Sequence, residues 1–277
     1  MATDEIPDET DHTGTDRVEL TRDPESRIAR VTLTDPDRRN ALSTELASGV
    51  VAALDRLEGT DTRCVVVAGE ESAFSAGGDV EAMVERADAD EPLDDAVRHV
   101  IQDTGRCVRR LYESEFPTVA KVTGPAFGAG ANLAIAADVL LFHADARIGF
   151  GFRNVGLAVD SGTSFLLPRL VGDNVAAELV YTGELLDADR ALELGIANHV
   201  FDAETFEREA EALIEEIASG PSVALRTSKR LLRADSPSLG QAIRNEASAQ
   251  AAVFDTQDHA EGVSAFVEKR EPEFEGR

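Results

Sequence analysis

Three short apolar runs, at residues 64–68 (Cys-Val-Val-Val-Ala), 118–122 and 139–142, alternate along the chain with stretches whose apolar residues recur at helical spacing. The first run has no polar position facing either way, which suits a strand buried on both faces. Between residues 43 and 57, Leu46, Val50, Leu54 and Leu57 fall on one helical face, and Ser43 supplies an N-cap. Further helical stretches centre near residues 100–111 and 131–137. Strands alternating with helices predict an α/β fold with a parallel sheet. Ahead of this pattern, residues 18–20 and 28–33 flank Asp23-Pro24-Glu25-Ser26, which reads as a hairpin, and Asp35-Pro36-Asp37 marks a turn. Beyond Phe201 the chain turns helical, over residues 204–217, 223–232, 239–254 and around 261–269, punctuated by Gly220-Pro221 and residues 235–237. Residues 1–16 lack periodicity and predict a disordered acidic tail. That leaves an α/β core at 17–203 and a helical C-terminal region at 204–277, expected to pack on the core or on a neighbouring subunit.

Charge narrows the function classes. Asp and Glu outnumber Lys and Arg by 53 to 27, a net charge of −26, which repels nucleic-acid phosphates and anionic lipid surfaces. Lys121, Lys229 and Lys269 are the only lysines. A carboxylate-rich, lysine-poor surface fits a high-salt cytoplasm, where salt screens the self-repulsion. The acidic, polar start excludes a secretory leader, and no apolar run reaches a membrane span. A soluble cytoplasmic protein is expected. Cys64 and Cys107 stand in no CxxC or Cys/His cluster, and His99, His143 and His199 form no HExxH, so no metal site is expected. Ser161 lacks a GxSxG frame.

Two turns carry the chemistry. Ala73-Phe-Ser-Ala-Gly-Gly-Asp79 follows the run at 64–68 and precedes helix-compatible residues 80–86; Gly124-Pro-Ala-Phe-Gly-Ala-Gly130 likewise joins a strand to a helix. Small residues allow close approach of backbone to a ligand, and a helix N-terminus presents unpaired N–H groups with a dipole that favours negative charge. Converging, the two would form an oxyanion hole; singly, each is also ordinary α/β punctuation. Gly128-x-Gly130 lacks the third glycine of a dinucleotide fingerprint, because position 133 is Leu.

Arg39-Asn-Ala-Leu-Ser43, the two glycine turns and Gly156-Leu-Ala-Val-Asp160-Ser-Gly-Thr resemble the consecutive signature blocks of the enoyl-CoA hydratase/isomerase (crotonase) family. Val180-Tyr-Thr-Gly183, Ala188-x-x-Ala191-x-x-x-Gly195 and the end from Phe266 to Arg270 resemble it too. The resemblance runs from about Val18 to Arg277. It implies a spiral of ββα units with a helical C-terminal region, assembly as a homotrimer or hexamer, and an acyl-CoA thioester as substrate, with no cofactor beyond that coenzyme A. It implies oxyanion donors from the backbone N–H of Gly78, or of nearby Ala76, and of Ala129. It also implies coenzyme A contacts from Arg38, Arg39, Ala41 and Asp79, with Phe266 and Lys269 from the C-terminal region.

Family hydratases use two glutamates, which would fall at Asn132 and Phe152. Asn132 can hold a water or a substrate group but cannot abstract a proton, and Phe152, with Phe127, makes the acyl pocket apolar. Asp160 remains, at the position where family isomerases carry a catalytic aspartate; the wording from Gly156 to Gly172 is closest to isomerases of the phenylacetyl-CoA pathway. The resemblance thus implies a double-bond isomerase of Δ3-Δ2 type, or an epoxide-to-oxepin isomerase, with Asp160 as acid and base. An enoyl-CoA hydratase using Asp160 and Asn132 is the alternative, and a non-catalytic acyl-CoA-binding member a third. From position alone, Asp160 also suits an N-cap of the next helix. Glu81 and Glu85 read as a solvated face.

Overall fold

The computed structural model describes residues 11–12, 15–70, 73–88 and 92–277. The run at residues 64–68 lies at the centre of a seven-stranded sheet. The strands in chain order are β1 (Asp11–His12), β2 (Val18–Arg22), β3 (Ile28–Leu33), β4 (Cys64–Gly69), β5 (Thr118–Val122), β6 (Pro125–Phe127), β7 (Val139–His143), β8 (Arg147–Gly149), β9 (Leu185–Asp187) and β10 (His199–Phe201). The large sheet has the order β1-β2-β3-β4-β5-β7-β10, antiparallel from β1 to β3 and parallel from β3 to β10. The helices are α1 (Thr44–Leu57), α2 (Val80–Asp88), α3 (Leu93–His99), α4 (Gly105–Tyr112), α5 (Ala129–Ile135), α6 (Thr163–Val171), α7 (Asp173–Thr182), α8 (Ala188–Glu193), α9 (Phe206–Ala218), α10 (Ser222–Leu232), α11 (Leu239–Val253) and α12 (Gln257–Glu268).

The apolar run is explained by its two neighbours. Val65 and Val67 of β4 face the main core with Leu46, Val50 and Leu54 of α1, whereas Cys64 and Val66 face Phe206, Ala210 and Ile214 of α9. Alternate residues of one strand thus enter two separate apolar layers, and neither face can tolerate a polar side chain. Helix α1 starts as its sequence dictates, with the Ser43 hydroxyl accepting from the Leu46 N–H at 3.2 Å. The hairpin between β2 and β3 closes on Asp23, whose carboxylate accepts from the N–H groups of Glu25 and Ser26.

A second, three-stranded sheet of order β6-β8-β9 lies beyond the large one. Its strands are three residues long, too short to leave a period in the sequence. It explains the repeat: β5 leads to β6 and then α5, and β7 leads to β8 and then α6. The two earlier turns contribute single parallel bridges, Leu42 with Gly78 before α1 and α2, and Ser75 with Ala126. The chain is therefore a spiral of ββα units. Within the segment expected as a tail, Asp11–His12 pairs antiparallel with β2, while residues 1–10 and 13–14 lie outside the described residues.

The C-terminal helices are fastened by buried charge. Lys229 of α10 is 8% exposed, donates to the Phe116 carbonyl at 2.6 Å and pairs with Asp138 at 2.7 Å. Arg233 joins Asp138 at 2.6 Å and lies over the Tyr112 ring. Burial draws the Lys229 ammonium down to about 8, against the pull of Asp138. Lys229→Met should lower unfolding free energy by about 3 kcal/mol, because removing one member of a buried pair leaves its partners short of a donor. Chemical denaturation of both proteins measures this.

Candidate active site

Residues 35–42 do more than connect β3 to α1. Arg39 and Asn40 both adopt the left-handed backbone conformation, at φ 50 and 56°, which asparagine tolerates better than most residues. Asn40 is fully buried, and each of its groups bonds. Its Oδ1 accepts from the Asp35 N–H at 2.8 Å; its Nδ2 donates to the carbonyls of Ala73 at 2.9 Å and Glu70 at 3.3 Å; its own carbonyl accepts from the Ser75 hydroxyl at 2.7 Å. The Leu42 N–H donates to the Gly77 carbonyl at 2.7 Å. The first glycine turn is thereby held from outside by side-chain and backbone bonds of this loop.

The same turn is bonded to the second. Ser75 donates its N–H to the Pro125 carbonyl at 3.1 Å and accepts from the Phe127 N–H at 2.9 Å. Gly77 has φ 94°, and a Cβ there would collide with the Phe127 carbonyl oxygen and sit 3.6 Å from the Ala129 nitrogen. Only glycine lets the turns approach this closely. Gly128, at φ 53 and ψ −120°, occupies a region essentially closed to residues with a Cβ and aims the first N–H of α5.

Which N–H groups are free follows from these bonds. Ala76 donates to the Arg39 carbonyl at 2.9 Å, so its N–H is spent and Ala76 is removed from the donor pair that the sequence left open. No described residue accepts from Gly78 or from Ala129, the first residue of α5. Each turn thus keeps one open N–H, in adjacent stretches of backbone, an arrangement able to hold a developing negative oxygen.

Asp160 is tied to α5, the helix that Ala129 begins, through Asn132. Its Oδ1 is buried and bonds to no group of the structure, and burial raises the carboxyl above the ordinary aspartate range, opposed by the Ser161 hydroxyl and the charge of His99. It does not cap α6: the N-cap is Gly162, and the bond to the Thr163 N–H comes from the Asp160 main-chain carbonyl at 3.0 Å. Asn132 is the reason this segment is fixed. Fully buried, it donates Nδ2 to the Asp160 carbonyl at 2.9 Å and accepts from the Thr163 hydroxyl at 2.9 Å. Asn132, expected to hold a water or a substrate group, spends one amide N–H and one lone pair of its oxygen on this segment. Phe152 is buried, with its ring edge 3.8 Å from where a Cβ on Gly128 would stand, and Phe127 lies over Gly149 and Gly151. Both make an apolar wall next to the second turn.

The coenzyme A candidates divide. Arg38 ion-pairs with Asp79 at 3.2 Å, and the other Asp79 oxygen accepts from the Ala82 N–H at 3.0 Å as a cap on α2. Ala41 is buried and donates its N–H to the Arg38 carbonyl at 3.1 Å. Phe266 is 85% exposed and Lys269 ends α12; among the described residues no hydrogen bond or ion pair joins α12 to residues 36–42. Glu81 and Glu85 are exposed. No group of His, Cys, Asp and Glu among the described residues is arranged to hold a metal ion, and no described helix is long and apolar enough to cross a membrane. The roles of Asn40 and Ser75 were not foreseen in the sequence, where their only signal was an asparagine in a turn and a serine between small residues.

The enoyl-CoA hydratase/isomerase family model matches residues 23–277. The chain belongs to this family. A Thermus thermophilus protein carrying an enoyl-CoA hydratase name is 40% identical over 250 residues, 89% of this chain and 97% of its own. The 1,2-epoxyphenylacetyl-CoA isomerase of Escherichia coli is 32% identical over 255 residues, 91% of this chain and 97% of its own. A Mycobacterium abscessus structure described as an enoyl-CoA hydratase/isomerase superposes with a TM-score of 0.88 at 31% identity, covering 94% of this chain and 100% of its own. The crotonase fold expected from the motifs is thus the observed one, and hydratases and isomerases both stand among the relatives.

Asn40→Ala should destabilise the fold by about 2–4 kcal/mol, since buried donors and acceptors are left unpaired, and should cut turnover of an enoyl-CoA at temperatures where the protein is still folded. Thermal unfolding and steady-state rates measured on one preparation separate the two effects.

Proposed function

We propose that this family member is an enoyl-CoA isomerase that moves a double bond between the β,γ and α,β positions, with Asp160 as acid and base. The observation that carries the reading is the Asp160 carboxylate, whose Oδ1 is buried and bonds to no group of the structure while its main chain is tied to α5 through Asn132. The thioester oxygen sits between the N–H groups of Gly78 and Ala129. Asp160 removes a C2 proton, the electrons move into the thioester oxygen as a dienolate, and the carboxylic acid returns a proton to C4. One group can do both steps because the carboxylate that takes a proton becomes the acid that gives one. Hydration would require a second group to activate water. Neither Asn132 nor Phe152 is an acid or base, and Asn132 already bonds to Asp160 and Thr163, which weighs against it. The relative named as an epoxyphenylacetyl-CoA isomerase supports an isomerase; the one named as a hydratase supports the alternative.

In this reading coenzyme A belongs to the substrate, no other cofactor takes part, and the enzyme works in the cytoplasm. Assembly as a trimer or hexamer is supported by apolar side chains left exposed on the C-terminal helices, Leu239, Phe254, Phe266 and Val267 among them. A monomeric mass from light scattering in high salt would remove that element.

Purified protein given 3-hexenoyl-CoA should form 2-hexenoyl-CoA, and given crotonyl-CoA should add little water. Asp160→Asn should lose roughly 10²–10⁴ in kcat. Its melting temperature should be equal or higher at neutral pH. A folded-state carboxyl raised by burial binds its proton more tightly than in the unfolded chain, so stability falls as pH rises through that interval, and the neutral amide avoids the loss. Hydration of crotonyl-CoA that survives Asp160→Asn would contradict the reading, and binding of acyl-CoA with no turnover of either compound would favour a non-catalytic member.

A further inference from the structure

The two residues after Asp160 both adopt the left-handed backbone conformation, Ser161 at φ 46° and Gly162 at φ 93°. Glycine does so freely, whereas a serine there costs free energy and persists only where surrounding contacts enforce it. The enforcing contact comes from outside the turn. The Ser161 hydroxyl donates to the Thr104 hydroxyl at 2.9 Å, and both side chains are buried. Thr104 ends a single π turn, Val100–Thr104, set between α3 and α4. Such turns shift side chains off ordinary helical positions and recur at functional sites. This one closes from the Gly105 N–H to the Val100 carbonyl, and a Cβ on residue 105 would stand 2.5 Å from that oxygen. The Thr104 hydroxyl lies 3.5 Å from the same carbonyl, which directs its proton there and leaves its oxygen to accept from Ser161. Asp103 accepts from the Thr44 hydroxyl of α1 at 2.8 Å and so ties the π turn to a second element. The segment that carries Asp160 is therefore held from two directions. Asn132 and Thr163 bond to the Asp160 carbonyl at 2.9 and 3.0 Å, and Thr104 holds the residue that follows. The carboxyl itself has an oxygen that bonds to no group of the structure, so its direction is set through the backbone.

We propose that Thr104 is a positioning residue for Asp160: by holding Ser161 in its left-handed conformation, it aims the Asp160 carboxyl at the carbon that exchanges its proton. The inference rests on the isomerase reading. Thr104 touches no substrate in this scheme and acts through Ser161 and Asp160. Without the Thr104 oxygen, residue 161 can relax toward the right-handed or extended backbone that serine prefers, and the Asp160 side chain turns with it. A misplacement of about 1 Å is enough to cost about 10²-fold in rate.

A double-mutant comparison tests it. Thr104→Val keeps the shape of the side chain and removes the acceptor. With 3-hexenoyl-CoA its kcat should fall about 10–100-fold at nearly unchanged KM, because the base is misplaced while the thioester is still bound. Thr104→Ser, which keeps the oxygen, should recover most of that loss. In the Asp160→Asn background, Thr104→Val should cost nothing further, because a positioning residue acts through the group that it positions. A purely structural role would lower the residual rate by the same factor in both backgrounds. Where Thr104→Val does not fold, Ser161→Ala removes the same bond from its other end and is read by the same comparison. An unchanged kcat, a loss that Thr104→Ser does not recover, or an equal loss in the Asp160→Asn background would overturn the proposal and leave the Asp160 reading standing. Wild-type enzyme that converts no 3-hexenoyl-CoA, or Asp160→Asn as fast as the wild type, would remove that reading and the positioning role with it.

Discussion

Leaving a backbone N–H without an acceptor costs free energy, about 1–3 kcal/mol for a buried one, and this protein does it at two neighbouring positions. Gly78 and Ala129 keep their N–H groups open because everything around them is bonded. Asn40 holds the first turn through two of its groups, Ser75 joins the first turn to the second, and Gly128 gives its N–H to the Gly149 carbonyl at 2.9 Å. The ββα spiral supplies the framework for this, because its short second sheet stacks the turns one above the other. A donor pair fixed before substrate arrives needs no reorganisation when charge develops on the thioester oxygen.

The acid beside the hole obeys the same logic with the opposite sign. Asp160 is kept partly out of water with one oxygen unsatisfied, which favours its neutral form and makes its anion a stronger base. The surrounding bonds go to its main chain, from Asn132 and Thr163, so the carboxylate is positioned without being neutralised. Phe152 and Phe127 keep the wall apolar.

Much of this was legible in the sequence, and the parts that were not have physical reasons. The β4 run, the Ser43 cap and the small residues of both turns are local signals: burial on two faces, a hydroxyl before a helix, and backbone that must approach closely. The Phe152 wall and the lone Asp160 were visible as residue types at motif positions. The strands of the second sheet were not, because three residues make no period. Choosing between Ala76 and Gly78 required knowing that Arg39 takes the Ala76 N–H, a contact across 37 positions of chain. Asn132 looked free because its partners, at 160 and 163, come from a different turn of the spiral. The bond between Thr104 and Ser161 carried no signal either, since it depends on a π turn at Val100–Thr104.

The account turns on the oxyanion donors and on the acid that faces them. A crystal structure with a saturated acyl-CoA bound tests both together. It should place the thioester oxygen about 2.7–3.1 Å from the nitrogens of Gly78 and Ala129, with an Asp160 oxygen in reach of C2. A thioester oxygen held by the Ala76 nitrogen, by a single donor, or away from Asp160 would contradict it.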